Sequence, residues 1–131
     1  MDEKALIEIA KSAMDMAYVP YSHFKVGAAL LTDDGKVYTG CNIENSAFGG
    51  TNCAERTALF KAVSEGHRKF KKIAIISDSN NYTYPCGICR QVLSEFGVDM
   101  DVITANNKGE YKVYKLCELL PCAFTSEDME R

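Results

Sequence analysis

Excess positive charge is missing from this sequence. Fifteen Lys and Arg stand against eighteen Asp and Glu, for a net charge of −3 and a pI near 5.4. A protein that works on a phosphate backbone carries a basic field, so polynucleotides are disfavoured and small, weakly charged substrates suit the chain better. Its one basic run, His67-Arg68-Lys69 with Lys71-Lys72, falls between a predicted helix and a predicted strand and reads as a solvated connector. Long apolar runs are also missing. No stretch is suited to span a bilayer, and Met1-Asp2-Glu3-Lys4 begins no run of signal-peptide type, so a soluble, cytoplasmic protein is expected. Histidine is scarce, with two residues, and His23 has no second histidine near it, so it is not read as a metal ligand. Repeats, low-complexity tracts and linkers are absent too. The 131 residues therefore read as a single domain, 1–131, long enough to bury roughly two-thirds of its unfolded surface.

What the sequence does have is cysteine. Six in a secreted chain would suggest a disulfide framework with any of 15 pairings. In a reducing compartment the same clustering points to metal or redox chemistry.

Taken in order, residues Asp2 to Ala17 read as an amphipathic helix. Ala5, Leu6, Ile9, Ala13 and Met16 recur at helical spacing, and Pro20 excludes helical geometry at Val19. Val26 to Thr32 and Val37 to Asn42 read as a hairpin about the turn Asp33-Asp34-Gly35-Lys36. The run Val26-Gly27-Ala28-Ala29-Leu30-Leu31 is apolar without alternation, as in a strand covered on both faces. A loop from Ile43 to Asn52 precedes a helix from Cys53 to Glu65, which Gly66 stops. Lys72 to Ser77 is a strand, Asn80 to Pro85 a loop, Cys86 to Phe96 a helix and Met100 to Ala105 a strand. A weaker strand, Tyr111 to Tyr114, and a helical turn within Lys115 to Leu120 follow. This order, α-β-β-α-β-α-β-β, predicts an α/β fold: a three-layer α-β-α sandwich about a central mixed five-stranded sheet.

Two short segments carry the chemistry: Thr51-Asn52-Cys53-Ala54-Glu55-Arg56-Thr57-Ala58 and Pro85-Cys86-Gly87-Ile88-Cys89-Arg90-Gln91. Cys86 and Cys89 are three apart and share a helical face. Alone, such a pair reads equally well as a redox dithiol or as half of a metal site. Cys53 tips the balance toward zinc. Three soft ligands fill three tetrahedral corners and leave one open for water, whose protons a nearby carboxylate, Glu55, could handle. Residues two apart on a regular helix do not face each other, so Cys53 and Glu55 share a site only if Cys53 lies where the helix begins. Three thiolates leave Zn²⁺ with a net charge of −1. Arg56, three residues after Cys53, is placed to offset it through hydrogen bonds to sulfur. The pattern C-A-E with P-C-G-I-C matches the three-cysteine variant of the zinc deaminase signature.

Further motifs extend that match over nearly the whole chain. They are Pro20-Tyr21-Ser22, Phe24-Lys25-Val26-Gly27-Ala28-Ala29, Gly40-Cys41-Asn42-Ile43-Glu44-Asn45 and Leu119-Leu120-Pro121. In this order and spacing, the sequence resembles the small, homotetrameric, zinc-dependent cytidine deaminases. The resemblance implies one Zn²⁺ per chain on Cys53, Cys86 and Cys89, with Glu55 as proton shuttle from water to the ring nitrogen and then to the departing amino group. It implies Asn42 and Glu44 as the ribose-binding pair, Phe24 as a pocket-lining ring and the Ala54 main chain as a contact to the base. Phe124 would cover the base across a subunit boundary, giving a homotetramer with composite sites. Phe48 is also taken as a substrate-binding residue, standing where relatives often carry tyrosine, and Gly49-Gly50-Thr51 departs from the family pattern before Cys53. Cys41, Cys117 and Cys122 match no ligand position and read as small apolar residues or ordinary thiols.

The function this implies is hydrolysis of cytidine and deoxycytidine to uridine and deoxyuridine with release of ammonia, as in pyrimidine salvage. Two rivals are weighed against it. A blasticidin-type aminonucleoside deaminase is disfavoured by Asn42-Ile43-Glu44-Asn45. A structural zinc or redox protein would need a fourth ligand or a resolving thiol from Cys41, Cys117 or Cys122. Neither nucleic acid nor membrane is expected as a partner.

Overall fold

All seven positions of the strand Val26–Thr32 (β1) are buried, and this strand lies inside the sheet. The computed structural model describes residues 1–129. Its five-stranded sheet runs in the order β2-β1-β3-β4-β5, with β2 at Val37–Cys41, β3 at Phe70–Ser77, β4 at Asp101–Ala105 and β5 at Tyr111–Lys115. β1 pairs antiparallel with both β2 and β3, β3 and β4 are parallel, and β5 returns antiparallel to β4. The parallel pair needs a crossover, which α3 at Gly87–Ser94 supplies.

Strand alternation divides the apolar residues between two faces. Ala29, Leu31, Ala74, Ile76, Ile103 and Ala105 pack with Leu6, Ile7 and Ala10 of α1, Glu3–Met14. Ala28, Leu30, Ile73, Ile75 and Val102 pack on the other side with Ala58 and Leu59 of α2, Ala54–Ser64, and with Leu93 of α3. Leu116 of the short α4, Leu116–Leu119, closes that side. The predicted three-layer α-β-α arrangement is therefore the one observed.

Some details differ from the sequence reading. α1 ends at Met14 because Asp15, Met16 and Ala17 donate to carbonyls three residues back, tightening the chain into turns. Its buried stripe is Leu6, Ile7 and Ala10, while Ala5 and Met16 face outward. The cause is the close approach of α1 to Gly27, where a Cβ would lie 2.1 Å from the Ala10 carbonyl oxygen. That contact turns the face carrying Ala10 and Met14 toward the sheet. β3 begins at Phe70, because the supposed connector Lys71-Lys72 already lies in the strand. A short 3₁₀ turn at Phe48–Gly50 interrupts the loop before Cys53.

Candidate active site

Two helix starts meet at one end of the sheet. Cys53 is the N-cap of α2 with extended backbone (φ −77°, ψ 158°), and Cys86 is the N-cap of α3 (φ −67°, ψ 169°). The extended backbone at Cys53 is what lets residues 53 and 55 serve one site. α2 is drawn tight against the sheet at Gly40, where a Cβ would stand 2.2 Å from the Ala54 carbonyl oxygen and 2.6 Å from the Ala58 nitrogen. The loop before it is pinned by bridges between Tyr18 and Ile43 and between Ile43 and Asn52. Asn52 Nδ2 donates to Thr57 Oγ1 at 3.1 Å, fixing the first turn. On the α3 side, Arg90 donates from Nε to the Pro85 carbonyl at 2.8 Å and from Nη1 to the Leu119 carbonyl at 2.7 Å.

These constraints bring the sulfur atoms of Cys53, Cys86 and Cys89 within 4.8 Å of one another. Cys53 Sγ and Cys86 Sγ are 3.7 Å apart, and all six cysteines are free thiols. The Cys89 main-chain N–H donates to Cys86 Sγ at 3.5 Å. Arg56 Nη2 donates to Cys53 Sγ at 3.2 Å, which is the contact expected from its spacing. A hydrogen bond from Cys89 and the Arg56 guanidinium together pull the Cys53 thiol down to about 5, while the same coupling pushes Cys89 up. Arg56 itself is partly desolvated, yet its bonds to the thiols hold its pKa above the ordinary value. Three clustered sulfurs, one readily ionised and backed by a guanidinium, are a donor set that fits zinc. Cys41, Cys117 and Cys122 lie outside the cluster.

Glu55 is 4% exposed, and its burial raises the carboxyl to about 7. It lines a cavity of about 210 Å³ together with Cys53, Ala54, Cys86, Phe24, Val26, Asn42, Thr83 and Tyr84. A carboxyl that exchanges a proton near neutral pH, beside a thiol cluster and facing a cavity of this size, is equipped for acid–base work on a small molecule.

A family model described as the cytidine and deoxycytidylate deaminase zinc-binding region matches residues 1–105. The chain belongs to the cytidine deaminase family. It is 54% identical to the cytidine deaminase of Sporosarcina psychrophila over 98% of this chain and 96% of that one. The Halalkalibacterium halodurans cytidine deaminase is 53% identical over 98% of each. The crystal structure of the Burkholderia pseudomallei cytidine deaminase superposes with a TM-score of 0.92 at 50% identity, covering 95% of this chain and all of that one. A blasticidin-S deaminase from Bacillus cereus is more distant, at 33% over 92% of this chain and 90% of that one.

Within this cytidine deaminase fold, the residues singled out from the sequence fall into two groups. Cys53, Cys86, Ala54, Glu55, Phe24 and Asn42 line the cavity, and Cys89 and Arg56 stand behind its thiol wall. Asn42 is more constrained than the sequence implied: Oδ1 accepts from Val26 N–H at 2.9 Å and Nδ2 donates to the Phe24 carbonyl at 2.7 Å. Glu44, Phe48 and Phe124 are not in the cavity wall of the single chain. The Glu44 carboxylate accepts from the Tyr21 and Ser22 N–H groups at 3.0 and 3.1 Å and from the Ser22 hydroxyl. Those bonds, the hydroxyl's first, hold its pKa below the ordinary carboxylate value. Phe48 is 81% exposed on the 3₁₀ turn, and Phe124 is 59% exposed with its carbonyl bound by Gln91 Nε2 at 2.7 Å. Thr83 and Tyr84 were missed as cavity residues. The available signal was their position immediately before Pro85-Cys86.

Proposed function

We propose that this chain is a zinc-dependent enzyme that deaminates cytidine and deoxycytidine hydrolytically to uridine and deoxyuridine, releasing ammonia, and so serves pyrimidine salvage. The observation that carries the reading is buried Glu55, poised near neutral pH beside the three-thiol cluster in a nucleoside-sized cavity. Cys53, Cys86 and Cys89 would hold one zinc ion per chain, which supplies Lewis acidity that makes water a nucleophile near neutral pH.

The chain's own residues supply the rest. Glu55 takes a proton from the attacking water and gives it to the ring nitrogen beside the amino-bearing carbon. It then takes the proton of the new hydroxyl on that carbon and passes it to the amino group, which leaves as ammonia as the C–N bond breaks and the carbonyl forms. Burial raises its carboxyl, which favours its holding a proton between the two transfers. Arg56 offsets the thiolate charge through its bond to Cys53. The Ala54 main chain holds the base, and Phe24 packs against the bound nucleoside. Asn42 and Glu44 take the ribose hydroxyls. A carboxylate there also repels a phosphate, which favours nucleosides over nucleotides.

The reading extends to assembly. Residues 1–131 form one catalytic domain of a cytoplasmic homotetramer, with Phe48 and Phe124 serving pockets at subunit boundaries. Their exposure in the single chain supports this. Among the described residues no helix is long and apolar enough to cross a membrane.

The test is ultraviolet absorbance of cytidine mixed with the purified, zinc-loaded protein, with blasticidin and adenosine in parallel. Loss of the cytidine spectrum alone is expected. Turnover of blasticidin in its place would overturn the substrate assignment. For the mechanism, Glu55→Gln should retain zinc and lose at least about a hundredfold in kcat; unchanged kcat would refute the role of Glu55.

A further inference from the structure

The cavity is lined from three segments: Phe24 to Val26 with Asn42, Cys53 to Glu55, and Thr83 to Cys86. The cytidine reading above uses the first two and the sulfur of the third, and gives Thr83 and Tyr84 no task. Their side-chain hydroxyls are both engaged away from a ligand. Thr83 Oγ1 and Ser77 Oγ are hydrogen-bonded at 2.6 Å, and the Thr83 N–H donates to the Ala105 carbonyl at 3.1 Å. The hydroxyl of Tyr84 is 3.0 Å from that of Tyr114, with the ring centroids 5.8 Å apart and the planes inclined by 56°. Tyr114 lies on β5, registered opposite buried Val102 of β4, so the partner that holds Tyr84 is itself anchored in the sheet. A loop residue is thereby fixed from outside the loop.

A bound pyrimidine has a limited set of edges to present. On the cytidine reading, the amino-bearing carbon lies at the thiol and Glu55 end, and the sugar lies toward Phe24 and Asn42. The ring nitrogen that receives a proton faces Glu55, with Ala54 beside it. The opposite edge carries two C–H groups, at C5 and C6, and the wall left to meet it is Thr83-Tyr84 with apolar Val26. An apolar edge suits a wall whose hydroxyls are already paired, since no polar group is left unsatisfied when water is expelled.

We propose that Tyr84 is a specificity-determining residue of this pocket: its ring, held in place by Tyr114, packs along the C5–C6 edge of the pyrimidine and limits the size of a substituent at C5. Tyr114 is a positioning residue, acting through Tyr84. The proposal rests on the cytidine reading of the site.

The experiment compares kcat/KM for cytidine, 5-methylcytidine and 5-bromocytidine in the zinc-loaded wild type, Tyr84→Ala, Tyr84→Phe, Tyr114→Phe and the double Phe variant. Accommodation of about one methyl-sized group in an apolar pocket is worth roughly tenfold or more. Tyr84→Ala should therefore raise the ratio of 5-substituted to unsubstituted kcat/KM by about tenfold. Both single Phe variants remove the same hydrogen bond. Each should raise the ratio by less than Tyr84→Ala does, and the double variant should add nothing to either. An unchanged ratio in Tyr84→Ala, or equal loss with every substrate, overturns the proposal while leaving cytidine deamination intact. If Tyr84→Ala does not fold, unchanged ratios in the two Phe variants overturn it. A wild-type protein inert toward cytidine overturns both readings.

Discussion

Gly40→Ala should damage the active site although Gly40 itself is not in the cavity wall. Gly40 is on β2 and takes no positive φ, so the substitution is a matter of space. A Cβ there stands 2.2 Å from the Ala54 carbonyl oxygen and 2.6 Å from the Ala58 nitrogen, both backbone atoms of α2. Opening 2.2 Å to an ordinary 3.4 Å contact moves the start of that helix by about 1.2 Å. Overpacking of this kind costs about 1–3 kcal/mol. The same movement carries Cys53 and Glu55 away from Cys86 and Cys89 on α3, and a displacement near 1 Å in a catalytic constellation costs on the order of a hundredfold in rate. Gly27→Ala is the matched control. Its Cβ would stand 2.1 Å from the Ala10 carbonyl oxygen and 2.7 Å from the Met14 nitrogen, against α1, which carries no site residue. Urea midpoints, zinc content and kcat/KM on cytidine should be measured for both variants. Both midpoints should fall, and only Gly40→Ala should lose kcat/KM in its folded fraction. Wild-type kcat/KM in Gly40→Ala, or equal losses in the two variants, would refute the reasoning.

Other perturbations separate the remaining roles. Arg56→Gln removes the donor to Cys53 Sγ and should weaken zinc binding by about 10–100-fold in a chelator competition; unaltered affinity would count against charge compensation. Asn42→Ala frees the Val26 N–H and the Phe24 carbonyl, so it should lower the urea midpoint as well as raise KM for cytidine. A raised KM with an unchanged midpoint would mean that those two bonds add nothing to stability. Glu44 has its pKa depressed by the Ser22 hydroxyl, so its ionised contribution is complete above the ordinary carboxylate pKa and fades as pH falls through the lower folded value. In Ser22→Ala that fading should move to higher pH, and KM for cytidine should rise earlier on acidification. Superimposable KM–pH profiles would refute this.

The three-layer fold and the thiol cluster were legible because each rests on a strong local pattern. Apolar runs without alternation marked strands buried on both faces, and the spacing of Cys53, Glu55, Arg56, Cys86 and Cys89 constrained the site. The extended N-cap at Cys53 followed from the same constraint, since 53 and 55 cannot share a site on a regular helix. What periodicity did not reveal was contact between distant segments. The buried face of α1 is selected by Gly27 on β1, and no pattern within residues 2–17 encodes that meeting. Thr83 and Tyr84 read as loop because their role depends on Ser77 and Tyr114. The engagement of Glu44 with Tyr21 and Ser22 likewise spans more than twenty residues.

The two capping cysteines have a consequence for the order of biosynthesis. Cys53 and Cys86 come from different helices, and Cys89 follows the second cap. α1, β1, β2, α2 and β3 are all translated before either of the later thiols, and N-terminal segments begin to fold first. A nascent chain at that stage offers only Cys53 of the three clustered thiols, since Cys41, translated earlier, lies outside the cluster. The full donor set comes into being only when β3, α3 and β4 complete the crossover, so a metal held by all three thiols would be bound after the sheet that orients them exists. Scattering the three thiols along the chain thus ties assembly of the donor set to completion of the sheet.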